Sequence, residues 1–225
     1  METKRYWNFI TAVGVGMLLV ITVGCQQKTA LSADDAIDMD AAAMRFVKSG
    51  RYEQAAELFE ASAKSQPQDA RALCNVGFVN IDLGRFQEAV GPLKKAIALE
   101  PGLSEAHCNL GIAYIGLDRL PEATASLQEA IRLKPDYAEA HSKLGMAWIL
   151  RREPGKAVEP LEQAVRLEPD SAGAHFALGA AYAKLGNREA ALEQYELLKT
   201  LDPDMAKRYL QEFEKQERLM ASVIR

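Results

Sequence analysis

The chain has 225 residues, 48% hydrophobic and 26% charged, a balance that supports a folded protein with an extended apolar core and excludes a disordered one. A formal charge of −4 excludes a surface built to hold phosphate backbones, so no nucleic-acid partner is expected. Three cysteines make no disulfide framework in a chain of this size, and no Cys-x-x-Cys or Cys/His cluster points to a structural metal, so no cofactor is expected.

Residues 1–24 read as an export segment. Lys4 and Arg5 form a short positive start, and Phe9 to Val23 is uncharged and largely apolar, interrupted by two threonines. The run closes on Thr22-Val23-Gly24-Cys25, which resembles the lipobox of bacterial lipoproteins, with a departure at Thr22, where that family carries Leu, Val or Ile. The resemblance implies cleavage before Cys25 and a lipid, palmitate included, on that residue. With Gln26 in place of Asp, it also implies an outer-membrane lipoprotein facing the periplasm. The alternative is an uncleaved inner-membrane anchor with a periplasmic domain, since a span needs about 20 apolar residues and this run is marginal. Either way the remainder is sent outward. Residues 25–35 are polar at their start and are expected to form a tether.

Beyond the tether the chain is periodic. Pro67, Pro101, Pro135, Pro169 and Pro203 are spaced by 34 residues at every step, which points to stacked units that cannot bury their apolar faces alone. Five blocks follow, 36–69, 70–103, 104–137, 138–171 and 172–205. In the third, His107, Leu110, Gly111 and Tyr114 fall at i, i+3, i+4 and i+7, one face of a helix, and Ala123, Leu127 and Ala130 mark a second helix. The second helices share Ala55, Ala89, Ala123, Ala157 and Ala191.

Small residues at fixed phase need a reason, because glycine inside a helix costs about 0.5 to 1 kcal/mol relative to alanine. Close approach of Gly77, Gly111, Gly145 and Gly179 to the alanines of the second helices supplies one, with Gly111 expected against Ala123. Gly50, Gly84 and Gly186 are placed for left-handed C-caps. Asp118 and Arg152 replace glycine in the other two units, where Pro121 and Pro154 are expected to start the second helix instead. Asp69, Ser104, Asp136 and Ser171 are expected to cap the first helices that follow. Pro92 and Pro160, inside second helices, are expected to bend them locally.

This pattern resembles the tetratricopeptide repeat over residues 36–205, with the first block, carrying Met39, Ala42 and Ala43, the loosest. The resemblance implies an all-α, right-handed solenoid of helix-turn-helix repeats. Residues 206–225 keep an apolar stripe at Tyr209, Leu210, Phe213, Leu219, Met220 and Val223, as expected of a C-terminal capping helix.

His107, His141 and His175 share one phase. Equivalent positions on neighbouring helices are separated by roughly 8 to 10 Å, too far for one metal, so packed structural histidines are expected. The same spacing argues for free thiols at Cys74 and Cys108, one period apart, although an oxidising compartment keeps a disulfide in view. No nucleophile elbow, His-Glu-x-x-His or phosphate loop is present, so no enzyme is expected.

The resemblance further implies that first helices line an inner surface that holds a peptide. By phase that surface carries Asn75, Phe78, Ile81 and Asp82; then Asn109, Ile112 and Ile115; then Lys143, Met146 and Ile149; then Phe176 and Lys184. The family's clamp for a C-terminal carboxylate needs a lysine where Glu105 and Glu139 stand, so an amphipathic helix or extended apolar segment is the expected cargo. The expectation is a non-catalytic interaction scaffold of the cell envelope, akin to pilotin-type repeat lipoproteins. The alternatives are a periplasmic factor presenting unfolded exported chains and, from another class, an enzyme or metal carrier.

Overall fold

Pro67, Pro101, Pro135 and Pro169 each lie in the short link between one helix pair and the next. The residue before each is pushed out of the helical region, as at Gln66 (ψ 69°), Glu100 (ψ 87°), Lys134 (ψ 89°) and Glu168 (ψ 81°). The computed structural model describes residues 33–223, with side chains over 39–215. Among them the chain is all α: α1 (Ala33–Lys48), α2 (Tyr52–Ser65), α3 (Ala70–Asp82), α4 (Phe86–Leu99), α5 (Ser104–Gly116), α6 (Leu120–Leu133), α7 (Ala138–Leu150), α8 (Pro154–Leu167), α9 (Ala172–Lys184), α10 (Arg188–Leu201) and α11 (Pro203–Val223). The helix α1 begins at Ala33, inside the stretch expected to be tether, and α11 begins at Pro203, ahead of the expected 206. The export segment and Cys25 lie outside the described residues, as do the side chains of Leu219, Met220 and Val223.

Each of α1, α3, α5, α7 and α9 packs on the even-numbered helix that follows it, α3, α5, α7 and α9 also pack one on the next, and α11 packs on α9 and α10. The odd helices therefore form one continuous layer of an α-solenoid and the even helices the other. Between the layers runs a core of Phe59, Leu93, Leu127, Leu161 and Leu198, all fully buried.

The glycines make room for these leucines. A Cβ on Gly77 would lie 2.3 Å from Leu93 Cγ, one on Gly111 2.5 Å from Leu127 Cγ, and one on Gly145 2.3 Å from Leu161 Cγ. The expected partner of Gly111, Ala123, contributes only its backbone oxygen, 3.3 Å from that Cβ position. In the last unit Tyr195 stands at the leucine's phase (195 − 161 = 34), and the group nearest Gly179 is instead the ring of Tyr209 from α11. Tyr209 is buried, stacks on Phe213 and donates its hydroxyl to the Ala191 carbonyl at 2.9 Å. The terminal helix thus closes the last unit with the group that the repeat itself lacks.

Turns and caps follow the sequence in part. Gly50, Gly84 and Gly186 adopt φ of 71°, 71° and 76°, as the C-cap reading requires. Asp118 and Arg152 do not avoid that conformation: they take it themselves, at φ of 56° and 60°. The turn after the first helix keeps one backbone path whatever residue occupies it, and the prolines add to that path without replacing it. Asp69 caps α3, accepting from the backbone N–H of Arg71 and Ala72 at 2.8 and 3.2 Å. Ser104, Asp136 and Ser171 do not cap through their side chains. Ser104 lies already inside α5, Tyr137 occupies the N-cap of α7, and Ser171 sits at the N-cap of α9 without a side-chain bond. Asn187 and Asp202 serve instead for α10 and α11. The helices α4 and α8 continue through Pro92 and Pro160.

Candidate peptide-binding groove

A hollow of about 340 Å³ opens on the odd-helix layer. Met44 of α1, Cys74, Asn75, Phe78, Ile81 and Asp82 of α3, Glu105, Asn109 and Ile112 of α5, and Tyr137, Glu139 and Lys143 at the start of α7 line it. The sequence-derived residues Asn75, Phe78, Ile81, Asp82, Asn109, Ile112 and Lys143 come together here. Ile115 packs between two core clusters and Ile149 against the cluster of Leu161 and Leu178. Phe176 meets Tyr209 edge-on at 5.5 Å between ring centres. Met146 and Lys184 are exposed and stand outside the hollow.

Residues not singled out as lining follow the same rule. Met44 is at the phase of Phe78 (78 − 44 = 34) and Glu139 at that of Glu105 (139 − 105 = 34), so extending the 34-residue ruler one block each way finds them. Tyr137 carries no such signal, because an aspartate and a leucine stand at its phase at the ends of the first and second units, at Asp69 and Leu103.

The thiols in and beneath the hollow are chemically quiet. Burial pushes the Cys74 thiol up to about 11 and the Cys108 thiol up to about 12, and both are free. Asn109 donates to the Cys74 sulfur at 3.6 Å, and Tyr137 shares a hydrogen bond with the Cys108 thiol. Thiols held protonated are poor nucleophiles. The rim is charged: burial first, then neighbouring Glu139, raises the Asp82 carboxyl, and Lys143 opposes that rise. The surface offers apolar side chains, amides and carboxylates for contact.

Two other hollows are less suited to hold a partner. One of about 370 Å³, over Ser142, Glu168 and Gly173, continues the same face. Another, about 580 Å³, lies among α2, α3 and α4, and two of its charged side chains are already paired: Arg85 with Glu53 at 2.9 Å and Lys64 with Glu60 at 3.5 Å.

The histidines have a structural role. The Nε2 atoms of His107, His141 and His175 lie 3.0, 2.9 and 2.9 Å from the carbonyl oxygens of Pro101, Pro135 and Pro169. A prolyl carbonyl only accepts, so Nε2 carries the proton and each ring fastens a first helix to the link before it. The Nδ1 of His175 meets the side-chain amide of Gln194 at 2.7 Å, and the amide's NH2 end is the one that can donate to it. The Nδ1 of His141 is buried without a partner. At Gln194's phase its unit carries Pro160 (194 − 160 = 34), which has no donor.

Models of the tetratricopeptide repeat match residues 41–104, 80–147 and 172–205, and a further TPR model matches 155–186. No curated protein matches the chain. Among solved structures, TTC0263, a thermophilic TPR protein of Thermus thermophilus, is similar at 29% identity and a TM-score of 0.68, over 78% of this chain and 97% of that one. A MamA crystal structure is similar at 26% identity and a TM-score of 0.62, over 78% and 96% of the two chains. YrrB, described as a TPR protein with an unusual peptide-binding site, shares the fold at 23% identity and a TM-score of 0.60, over 79% and 93%. Repeat matches that together span 41–147 and 155–205, on a solenoid of the same build, make this chain a member of the tetratricopeptide-repeat family.

Proposed function

We propose that this protein is a non-catalytic scaffold of the bacterial cell envelope, tethered by lipid on Cys25, that holds a protein partner in the groove of its odd-helix layer while an envelope complex assembles. The observation that carries the reading is the groove: Phe78 and Ile112 form a half-buried apolar floor between amides and carboxylates on one continuous helical layer. Hydrophobic anchors ringed by polar groups are the usual anatomy of a recognition surface. Lipid on Cys25 fits the same reading, since an anchored scaffold would meet a membrane-bound partner at high effective concentration.

Capture of a defined partner from membranes in mild detergent tests the groove. Charged residues in place of Phe78, Ile112 and Met146 should abolish capture with helicity intact, and capture that survives them rules the groove out. Labelling with a lipid precursor should mark the native chain and not Cys25→Ser; equal labelling rules out the anchor.

A further inference from the structure

The odd-helix layer is ruled in two directions, and this bears on the partner of the groove reading above, on which the inference rests. Along α5, Glu105, Asn109 and Ile112 fall at i, i+4 and i+7, and along α7 Glu139, Lys143 and Met146 do the same, so each helix presents a carboxylate, then a polar group, then an apolar one on a single stripe. Across the helices the 34-residue period lines these stripes up into rows. One row is apolar: Met44, Phe78, Ile112 and Met146, of which Met44 is 40% and Met146 39% exposed while the middle two are half-buried. A second row, two helical turns away, holds the exposed carboxylates of Glu105 and Glu139. Arg71 of α3 stands at the outer end of that row (105 − 71 = 34), and within the hollow three carboxylates, Asp82, Glu105 and Glu139, stand with one ammonium, Lys143, so its lining is net negative beside the apolar row.

The pitch of the rows selects the shape of the occupant. Neighbouring packed helices lie about 8 to 10 Å apart, and seven residues of an α-helix rise about 10.5 Å. A helix laid across the layer therefore brings an apolar residue of each successive heptad over each successive first helix, and its backbone needs nothing from the groove. An extended segment points alternate side chains to opposite sides, so its flank cannot follow the carboxylate row while its seam follows the apolar one.

We infer that the groove's partner is an amphipathic α-helix laid across the first helices, with its apolar seam on the row of Phe78 and Ile112 and Lys or Arg side chains along the flank that faces Glu105 and Glu139. The carboxylates orient the helix and exclude acidic competitors, and the apolar row holds it.

Two synthetic helical peptides with one leucine seam, one with lysine and one with glutamate along the flank, separate the possibilities by fluorescence anisotropy with the full chain in detergent micelles. The native chain should bind the lysine peptide about tenfold more tightly at low salt, with the difference shrinking as salt rises. The double variant Glu105→Lys, Glu139→Lys should reverse the preference. Equal affinities, binding of neither peptide, or a preference that the double variant leaves unchanged would overturn the basic-helix inference. The groove reading fails separately, if the lysine peptide binds Phe78→Asp as well as the native chain.

Discussion

The carbonyl oxygen of Pro169 accepts a hydrogen bond of 2.9 Å from the Nε2 of His175, six residues on, and the same bond recurs at His141 and His107. The proline that ends one unit is thereby fastened to the first helix of the next. His175→Leu removes this bond and leaves the buried Gln194 amide without its partner, so it should lower stability by about 1 to 3 kcal/mol, read from urea unfolding. His107→Leu, at a half-exposed site, should cost less.

Pro160 forgoes two hydrogen bonds that a glutamine at its place could make. As a proline it cannot donate to the carbonyl one turn back, and it stands where Gln194 would offer an amide to the buried Nδ1 of His141. Pro160→Gln should raise stability by about 1 kcal/mol, within the range for one recovered hydrogen bond. A loss of stability would mean that packing of the buried proline ring outweighs both bonds.

Asp118 and Arg152 pay for a left-handed turn that glycine takes without strain. The conformation costs an L-residue about 1 to 2 kcal/mol, offset in part by the greater unfolded-state freedom of glycine. Arg152→Gly should therefore stabilise the chain by roughly 0.5 to 1 kcal/mol. Asp118→Gly should gain less, because aspartate tolerates the turn better. Thermal unfolding of the two variants beside Gly84→Ala, expected to be destabilised, gives the comparison.

The thiols of Cys74 and Cys108 should resist a thiol reagent at pH 8 in the folded chain. Burial raises them to about 11 and about 12, so the reactive thiolate forms only as pH climbs toward those values. Both should react once denaturant opens the solenoid. Prompt reaction at pH 8 without denaturant would show that the packing around these thiols opens to solvent in the folded chain.

The scaffold was legible because it repeats. Proline spacing, the Gly–Leu phase and the odd-helix stripe are each stated several times in the sequence, and repetition cancels the ambiguity of any one unit. What repeats only in type was harder to read. Spacing alone pairs glycine with alanine, whereas the leucine four residues further on reaches into the space, a matter of side-chain direction that spacing does not carry. Ser104 and Asp136 are each displaced by one residue from the capping position, the scale on which helix ends are set by packing and not by local preference. At the ends of the array the periodic rule yields to particular contacts. Phe176 has the phase of a groove residue, yet it packs against Tyr209 of the terminal helix. No periodic rule contains that helix.

The central claim, that the odd-helix layer holds the partner, is tested most directly by photo-crosslinking in living cells. A photoreactive residue at Met146, on the apolar row, is compared with one at Gln128, exposed on α6 in the other layer. A discrete adduct from position 146, absent from 128 and lost on adding Phe78→Asp, is the expected result. An adduct from 128 alone, or one from 146 that persists with Phe78→Asp, would contradict the account.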